Sequence, residues 1–226
     1  MFKNELEVSK LIDHTQLKAS ALDADLTKLC EEAVEYNFKM VAINQVWTNF
    51  CANELEGTDI NVGAAIAFPL GQTTIQSKIQ ETINAIENGA DEIDYVLHIG
   101  KLLEKDYDYI EAEMQSIVDV CKKHNVTSKV IFETCYLQPE DIIAAAKIAR
   151  KVEPDFIKTS TGFGTDGATL ENVKLMKDNV GDKVLVKAAG GVRDLATLKA
   201  MVKNGASRIG TSSGIKIIEE YREENN

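Results

Sequence analysis

No apolar run in this sequence approaches the ~20 residues that span a bilayer, which argues against a membrane partner. Cationic residues are in the minority, 25 Lys and Arg against 36 Asp and Glu, and the net charge of −11 disfavours non-specific binding to nucleic acid. Cysteine is scarce. The four present, Cys30, Cys51, Cys121 and Cys135, form no C-x-x-C pair and no metal-like cluster, so they are expected to be reduced thiols in a cytoplasmic protein. The opening stretch, Met1-Phe2-Lys3-Asn4-Glu5-Leu6-Glu7, carries no apolar signal core, in keeping with that location. The three histidines, His14, His98 and His124, make no H-x-x-x-H or H-E-x-x-H, and no metal site is expected. No serine is expected to serve as a triad nucleophile. Pro-rich, linker-like and low-complexity segments are missing as well, so the expectation is a single domain over residues 1–226.

What is present is a regular alternation. The composition, 44% hydrophobic but only 6% aromatic, is that of an α/β protein built on Val, Ile, Leu and Ala. Short apolar or β-branched runs predict strands at 11–15, 40–43, 62–67, 92–97, 129–132, 156–158, 184–187 and 207–209. Amphipathic stretches between them predict helices at 46–55, 73–87, 107–124, 138–151, 169–179 and 194–204. Another helix is expected from a cap at Ser20 or Asp23 to Tyr36, with Leu26, Leu29, Cys30, Ala33 and Val34 on its inner face. A helical lead-in at 5–10 precedes the series, and a helix from Ser213 closes it. Asn88-Gly89 and Asn204-Gly205 stand where helices should end. They open an internal echo, in which 87–93, Glu-Asn-Gly-Ala-Asp-Glu-Ile, resembles 203–209, Lys-Asn-Gly-Ala-Ser-Arg-Ile. Strand midpoints recur at roughly 25–35 residues, the length of a β-α unit that returns to a parallel strand. Eight such units predict a TIM (β/α)8 barrel with its site at the C-terminal strand ends. An open doubly wound sheet would normally place a glycine fingerprint after the first strand, and His14-Thr15-Gln16-Leu17-Lys18 is not one.

The residues expected to close the strands, Asp13, Asn44, Phe68, Asp94, Glu133, Lys158, Lys187 and Gly210, are mostly polar or ionisable. Two of them share a pattern. Lys158 ends one apolar run and leads into Thr159-Ser160-Thr161-Gly162, and Lys187 ends the next and leads into Ala188-Ala189-Gly190-Gly191-Val192-Arg193. Two surface lysines at strand ends are the plain reading. The functional reading is a nucleophile and a modulator. Lowering a lysine from ~10.4 to near 7 costs roughly 4–5 kcal/mol. A second ammonium about 4 Å away supplies ~4 kcal/mol at an effective dielectric of 20, with partial burial adding the rest. Asp13 and Glu133 would oppose that shift and are expected to pair mainly with the other lysine; Thr15 is expected beside them. Asp94, alternating with Ile93 and Tyr95, is read as the one carboxylate on its strand face, either salt-bridged to a lysine or acting as a general acid/base, or both. Gly162, Gly190, Gly191, Val192, Arg193, Gly210, Ser212 and Ser213 fit phosphate loops, since glycine lets backbone N–H groups approach an anion and a helix begins near Ser213.

As a set, Leu11-Ile12-Asp13-His14-Thr15, Phe68-Pro69-Leu70-Gly71, Glu92-Ile93-Asp94, Glu133-Thr134-Cys135-Tyr136-Leu137, Lys158-Thr159-Ser160-Thr161-Gly162-Phe163, the stretch from Lys187 to Arg193, and Gly210-Thr211-Ser212-Ser213-Gly214 closely resemble deoxyribose-phosphate aldolase. The resemblance runs from about Leu11 to Ile218. It implies a TIM-barrel class I aldolase that reversibly cleaves 2-deoxy-D-ribose 5-phosphate to acetaldehyde and D-glyceraldehyde 3-phosphate, in deoxyribose phosphate catabolism and without cofactor or metal. By the same resemblance Lys158 would form the Schiff base, Lys187 would be its electrostatic partner and Asp94 the proton relay. A homodimer is the assembly considered. The chain departs from many members at Ala42-Ile43-Asn44-Gln45, where Cys-Val-Asn-Pro is common, and at Tyr95-Val96-Leu97-His98. Tyr221 is the candidate to replace a terminal tyrosine that some members carry. A class I aldolase with a different acceptor and a non-catalytic sugar-phosphate sensor are the competing readings; the sensor has no need of both lysines.

Overall fold

In a computed structural model that describes residues 2–225, eight parallel strands close into a barrel in sequence order. They are β1 (Ile12–Gln16), β2 (Met40–Asn44), β3 (Asn61–Ile66), β4 (Glu92–Val96), β5 (Thr127–Ile131), β6 (Phe156–Lys158), β7 (Leu185–Ala189) and β8 (Ala206–Thr211). The helices are α1 (Glu5–Ser9), α2 (Asp23–Glu35), α3 (Thr48–Glu54), α4 (Ile75–Glu87), α5 (Ile99–Leu103), α6 (Tyr107–His124), α7 (Pro139–Val152), α8 (Leu170–Val180), α9 (Leu195–Lys203) and α10 (Gly214–Asn225). Met1 and the last residue of the predicted polar tail, Asn226, lie outside the described residues. Among those described, no helix is long and apolar enough to cross a membrane.

The (β/α)8 barrel predicted from the alternation is thus the fold. Period-2 strand geometry divides its residues between two environments. Ile12, Val41, Ile43, Ala64, Ile93, Tyr95, Val130, Ile157, Val186 and Ile209 join the helices in one continuous apolar core. Met40, Ala42, Ala65, Val96, Ile131, Phe156 and Ala189 are also buried but stand apart from that core, on the alternate, inward face. The helices hold their places through their ends. Thr74, Asp106, Thr169 and Asp194 accept N-cap hydrogen bonds, and Pro139 sits in the first turn of α7. Gly214 lets α10 reach the barrel, because a Cβ there would lie 2.8 Å from the Phe38 ring and 3.1 Å from Ile12.

Some expectations need correction. The N-cap position of α2 is Leu22, whose N–H donates to Asp25, so neither Ser20 nor Asp23 caps it. Val34 is exposed rather than on the inner face, since one turn of periodicity does not fix how wide the covered stripe is. The short α5, capped by the His98 side chain, is an element not anticipated from the sequence. Tyr221 is packed into the outer core and is not at the barrel mouth, so it does not take the place of a terminal tyrosine.

Candidate active site

The strands deliver an unusual number of charges to the barrel interior. Lys158, the last residue of β6, and Lys187, mid-β7, are in register and both donate to Oδ2 of Asp94, at 2.8 Å and 2.7 Å. Lys129 from β5 donates to Oδ1 of Asp94 at 2.6 Å and lies 2.6 Å from Oε2 of Glu92. Lys187 also reaches Oδ2 of Asp13, 2.5 Å away. Arg208 from β8 grips Oδ1 of Asp13, with Nε at 2.9 Å, and its Nη2 lies 3.2 Å from the Glu92 carboxylate. Glu92, Lys129, Asp94, Lys187, Asp13 and Arg208 therefore close a ring of ion pairs with alternating sign, and Lys158 hangs from it at Asp94. All seven side chains are buried. Met40 lies against the ring, its sulfur 3.6 Å from Lys129 Nζ and 3.7 Å from Arg208 Nη2, and Phe156 underlies the guanidinium.

Protonation follows this arrangement. Burial pushes Lys158 down to about 8; Asp94 opposes that shift and the Lys187 ammonium reinforces it. Burial would lift Asp94, but Lys129, Lys158 and Lys187 hold it well below the usual carboxylate range. Glu92 is likewise raised by burial and brought down to about 2 by Lys129 and Arg208. Lys129 is lowered by burial and lifted above its ordinary value by Asp94 and Glu92. From the sequence alone the second ammonium is expected to lead in depressing Lys158. Desolvation leads instead, because the lysine lies under the barrel mouth and not at the surface.

Above the lysines is a cleft lined by Thr15, Gln16, Leu17, Lys18, Thr161, Gly162, Phe163, Gly190, Gly191, Val192, Arg193, Gly210 and Ser212, with Lys158 at its floor. Most of the predicted phosphate-loop residues meet here; Ser213 does not line it. Gly190 has φ +85°, and a Cβ there would come within 2.9 Å of Gly167 Cα, so both the turn and the close approach require glycine. Asp94 and Lys187 lie beneath the cleft. Asp13 pairs with Lys187 as expected. Glu133 does not; it accepts from the backbone N–H and hydroxyl of Thr161 and shapes the loop after β6, while burial raises its carboxyl. Asn44 donates to Leu17 O at 3.1 Å and steadies the loop after β1. Phe68 stacks edge-on with Phe163, centroids 5.5 Å apart.

The sequence reading missed Lys18, Glu92, Lys129 and Arg208. The last three had a signal, a charged residue within a run read as a strand, and Asp94 is not alone on its face because Glu92 shares it two residues earlier. Lys18 had none beyond following β1. The stretch from Gly210 to Gly214 does spell Gly-x-Ser-x-Gly, and Ser212 shares a neighbouring pocket with His14, but His14 Nε2 pairs with Glu32 and not with the serine hydroxyl. Among the described residues, no three His, Cys, Asp or Glu side chains gather as a metal-ligand group.

The chain matches the DeoC/LacD family aldolase over residues 8–220. It is 59% identical to the deoxyribose-phosphate aldolase of Lactobacillus acidophilus over 96% of this chain and 91% of that protein. It is 50% identical to that of Finegoldia magna over 95% of this chain and the whole of the relative. Among solved structures, the tetrameric deoxyribose phosphate aldolase of Aeropyrum pernix superposes with a TM-score of 0.91 at 29% identity, covering 98% of this chain and 93% of its own. A barrel of this topology, a buried lysine pair on one aspartate and this likeness along nearly the whole length lead to one assignment: the chain belongs to the DeoC/LacD family of aldolases.

Proposed function

We propose that this protein is a class I aldolase that cleaves 2-deoxy-D-ribose 5-phosphate to acetaldehyde and D-glyceraldehyde 3-phosphate, and runs the reverse addition, through a Schiff base on Lys158. The observation that carries this reading is Lys158 itself, an amine at the floor of the cleft whose value of about 8 leaves a usable free-base fraction near neutrality. Its nitrogen adds to the C1 aldehyde of the open-chain sugar, and loss of water gives an iminium ion. Removal of the C3 hydroxyl proton turns C3 into a carbonyl, the C2–C3 bond breaks, and its electron pair is held as an enamine. Protonation at C2 and hydrolysis then release acetaldehyde and return the amine. Asp94 touches both lysines and is the group through which protons, carried by water in the cleft, would be exchanged. Lys187, held by Asp13 and Asp94, stands beside the amine and helps push Lys158 down. Gly162, Gly190, Gly191, Val192, Arg193, Gly210 and Ser212 are assigned to the phosphate end, with Lys18 and Arg193 supplying charge. Thr15 lines the same wall, and Ser213 supports Ser212 from the start of α10. The enzyme would act in the cytoplasm, and a homodimer is the proposed assembly.

Borohydride reduction in the presence of acetaldehyde tests the reading. The expected result is inactivation with a two-carbon adduct on Lys158. An adduct on Lys187 would reverse the two roles, and loss of activity without any lysine adduct would remove the Schiff base altogether.

A further inference from the structure

We infer that Lys129, Glu92 and Arg208, none of which bonds to Lys158, are positioning residues that keep it a free amine by closing a charge-neutral ring beneath it. This rests on the Schiff-base reading above. The ring holds three carboxylates, Asp13, Glu92 and Asp94, against three cations, Lys129, Lys187 and Arg208, and each member contacts two of opposite sign. None is more than 6% exposed. In a dry interior an uncompensated charge is costly, so the neutral sum is the stable one. Lys158 is the seventh group and brings no acid with it. It shares with Lys187 the single oxygen Oδ2 of Asp94.

Asp94 is the acid in contact with the amine; Glu133, whose charged form burial disfavours, acts on it without contact. Asp94 faces it from β4, Lys129 from β5 and Lys187 from β7, with Asp13 of β1 and Arg208 of β8 one contact further. Glu133, after β5, is committed to Thr161. With Lys158 neutral the ring and its amine sum to zero; with Lys158 protonated these seven groups carry one excess positive charge. The amine therefore responds to the sum over the ring and not only to Lys187. The internal echo has a structural meaning here. Glu92 and Arg208 stand at matching positions of the two repeats and meet across the barrel, one contributing each sign.

The test compares the pH dependence of acetaldehyde–borohydride labelling at Lys158, read by peptide mapping, in the parent and in variants with unchanged far-UV circular dichroism. The parent midpoint should lie near 8. Lys129→Met leaves the ring one charge negative, favours the ammonium and should raise the midpoint by about one pH unit. Glu92→Gln leaves it one charge positive and should lower the midpoint by about as much. The double variant restores the neutral sum and should return to the parent midpoint, and Lys129→Arg should stay near it. Simple damage to the site would move both single variants the same way, so opposite shifts that cancel are the signature. If Lys129→Met does not fold, Glu92→Gln and the double variant still decide. A parent labelled at Lys158 whose variants keep its midpoint, or shift it in one common direction, overturns the ring. A parent with no label at Lys158 overturns the Schiff-base reading instead.

Discussion

Two groups of lysines are buried in this molecule, and their surroundings treat them differently. Lys78 and Glu113 form a pair 2.6 Å apart in the helical layer, between α4 and α6, with both side chains fully buried. Lys78 also donates to Val96 O, and Glu113 accepts from the His98 backbone, so the pair secures the chain leaving β4. Burial leads in both shifts, down for Lys78 and up for Glu113, so each is pushed toward its neutral form against the attraction of the other. Inside the barrel the same desolvation acts on more groups, but the ring's carboxylates Glu92 and Asp94 are held down and Lys129 is held up. Only Lys158 yields. A buried lysine with a private carboxylate is a structural tie; a buried lysine added to an already balanced set becomes a reactive amine.

Lys158→Met should separate these roles most sharply. Activity should fall by at least about a thousandfold, because the nucleophile is gone. Stability in urea should hold or rise by about 1 kcal/mol, because a buried amine without a carboxylate of its own has been removed. A loss of several kcal/mol would mean that Lys158 is a structural member of the lattice.

Lys78→Met should do the opposite. It leaves Glu113 buried without its cation and should cost roughly 3–5 kcal/mol in urea denaturation. Activity per folded molecule should stay near that of the parent. Replacing both partners, Lys78→Met with Glu113→Leu, should recover most of the loss, as an apolar pair of similar volume often does. Failure to recover would show that the backbone contacts at Val96 and His98, and not the ion pair, hold this region.

Acid should weaken the ring as well. The folded-state value of Glu92, about 2, lies below the unfolded ~4.3, so between these values the unfolded chain binds more protons. The stability that Glu92 contributes is complete above the upper value and is lost as pH falls through the window toward 2. The slope of unfolding free energy against pH in that range should shrink in Glu92→Gln.

The smallest effect expected is at the rim. Lys18→Ala, exposed and bonded to no ring member, should raise KM for the phosphorylated substrate several-fold, with little change in kcat and none in the labelling midpoint at Lys158. A shifted midpoint would mean that the cleft and the interior are electrostatically continuous.

The sequence by itself determined the barrel, because strand and helix signals are local and alternated without interruption. Chain order and the short connections then left little choice of topology. It also determined which strands carry Lys158, Lys187 and Asp94, and most of the glycine turns of the cleft, since these are polar or flexible residues within or just after apolar strand segments. Only the tertiary structure decided the rest. That Glu133 turns to Thr161 while Asp13 takes Lys187 depends on side-chain reach across the barrel. Tyr221 is drawn into the outer core because α10 lies against β1. The closure of Glu92, Lys129 and Arg208 into one neutral set with Asp13, Asp94 and Lys187 joins residues up to 195 positions apart. Charge balance in a buried space is a sum over neighbours in three dimensions, and no stretch of sequence contains that sum.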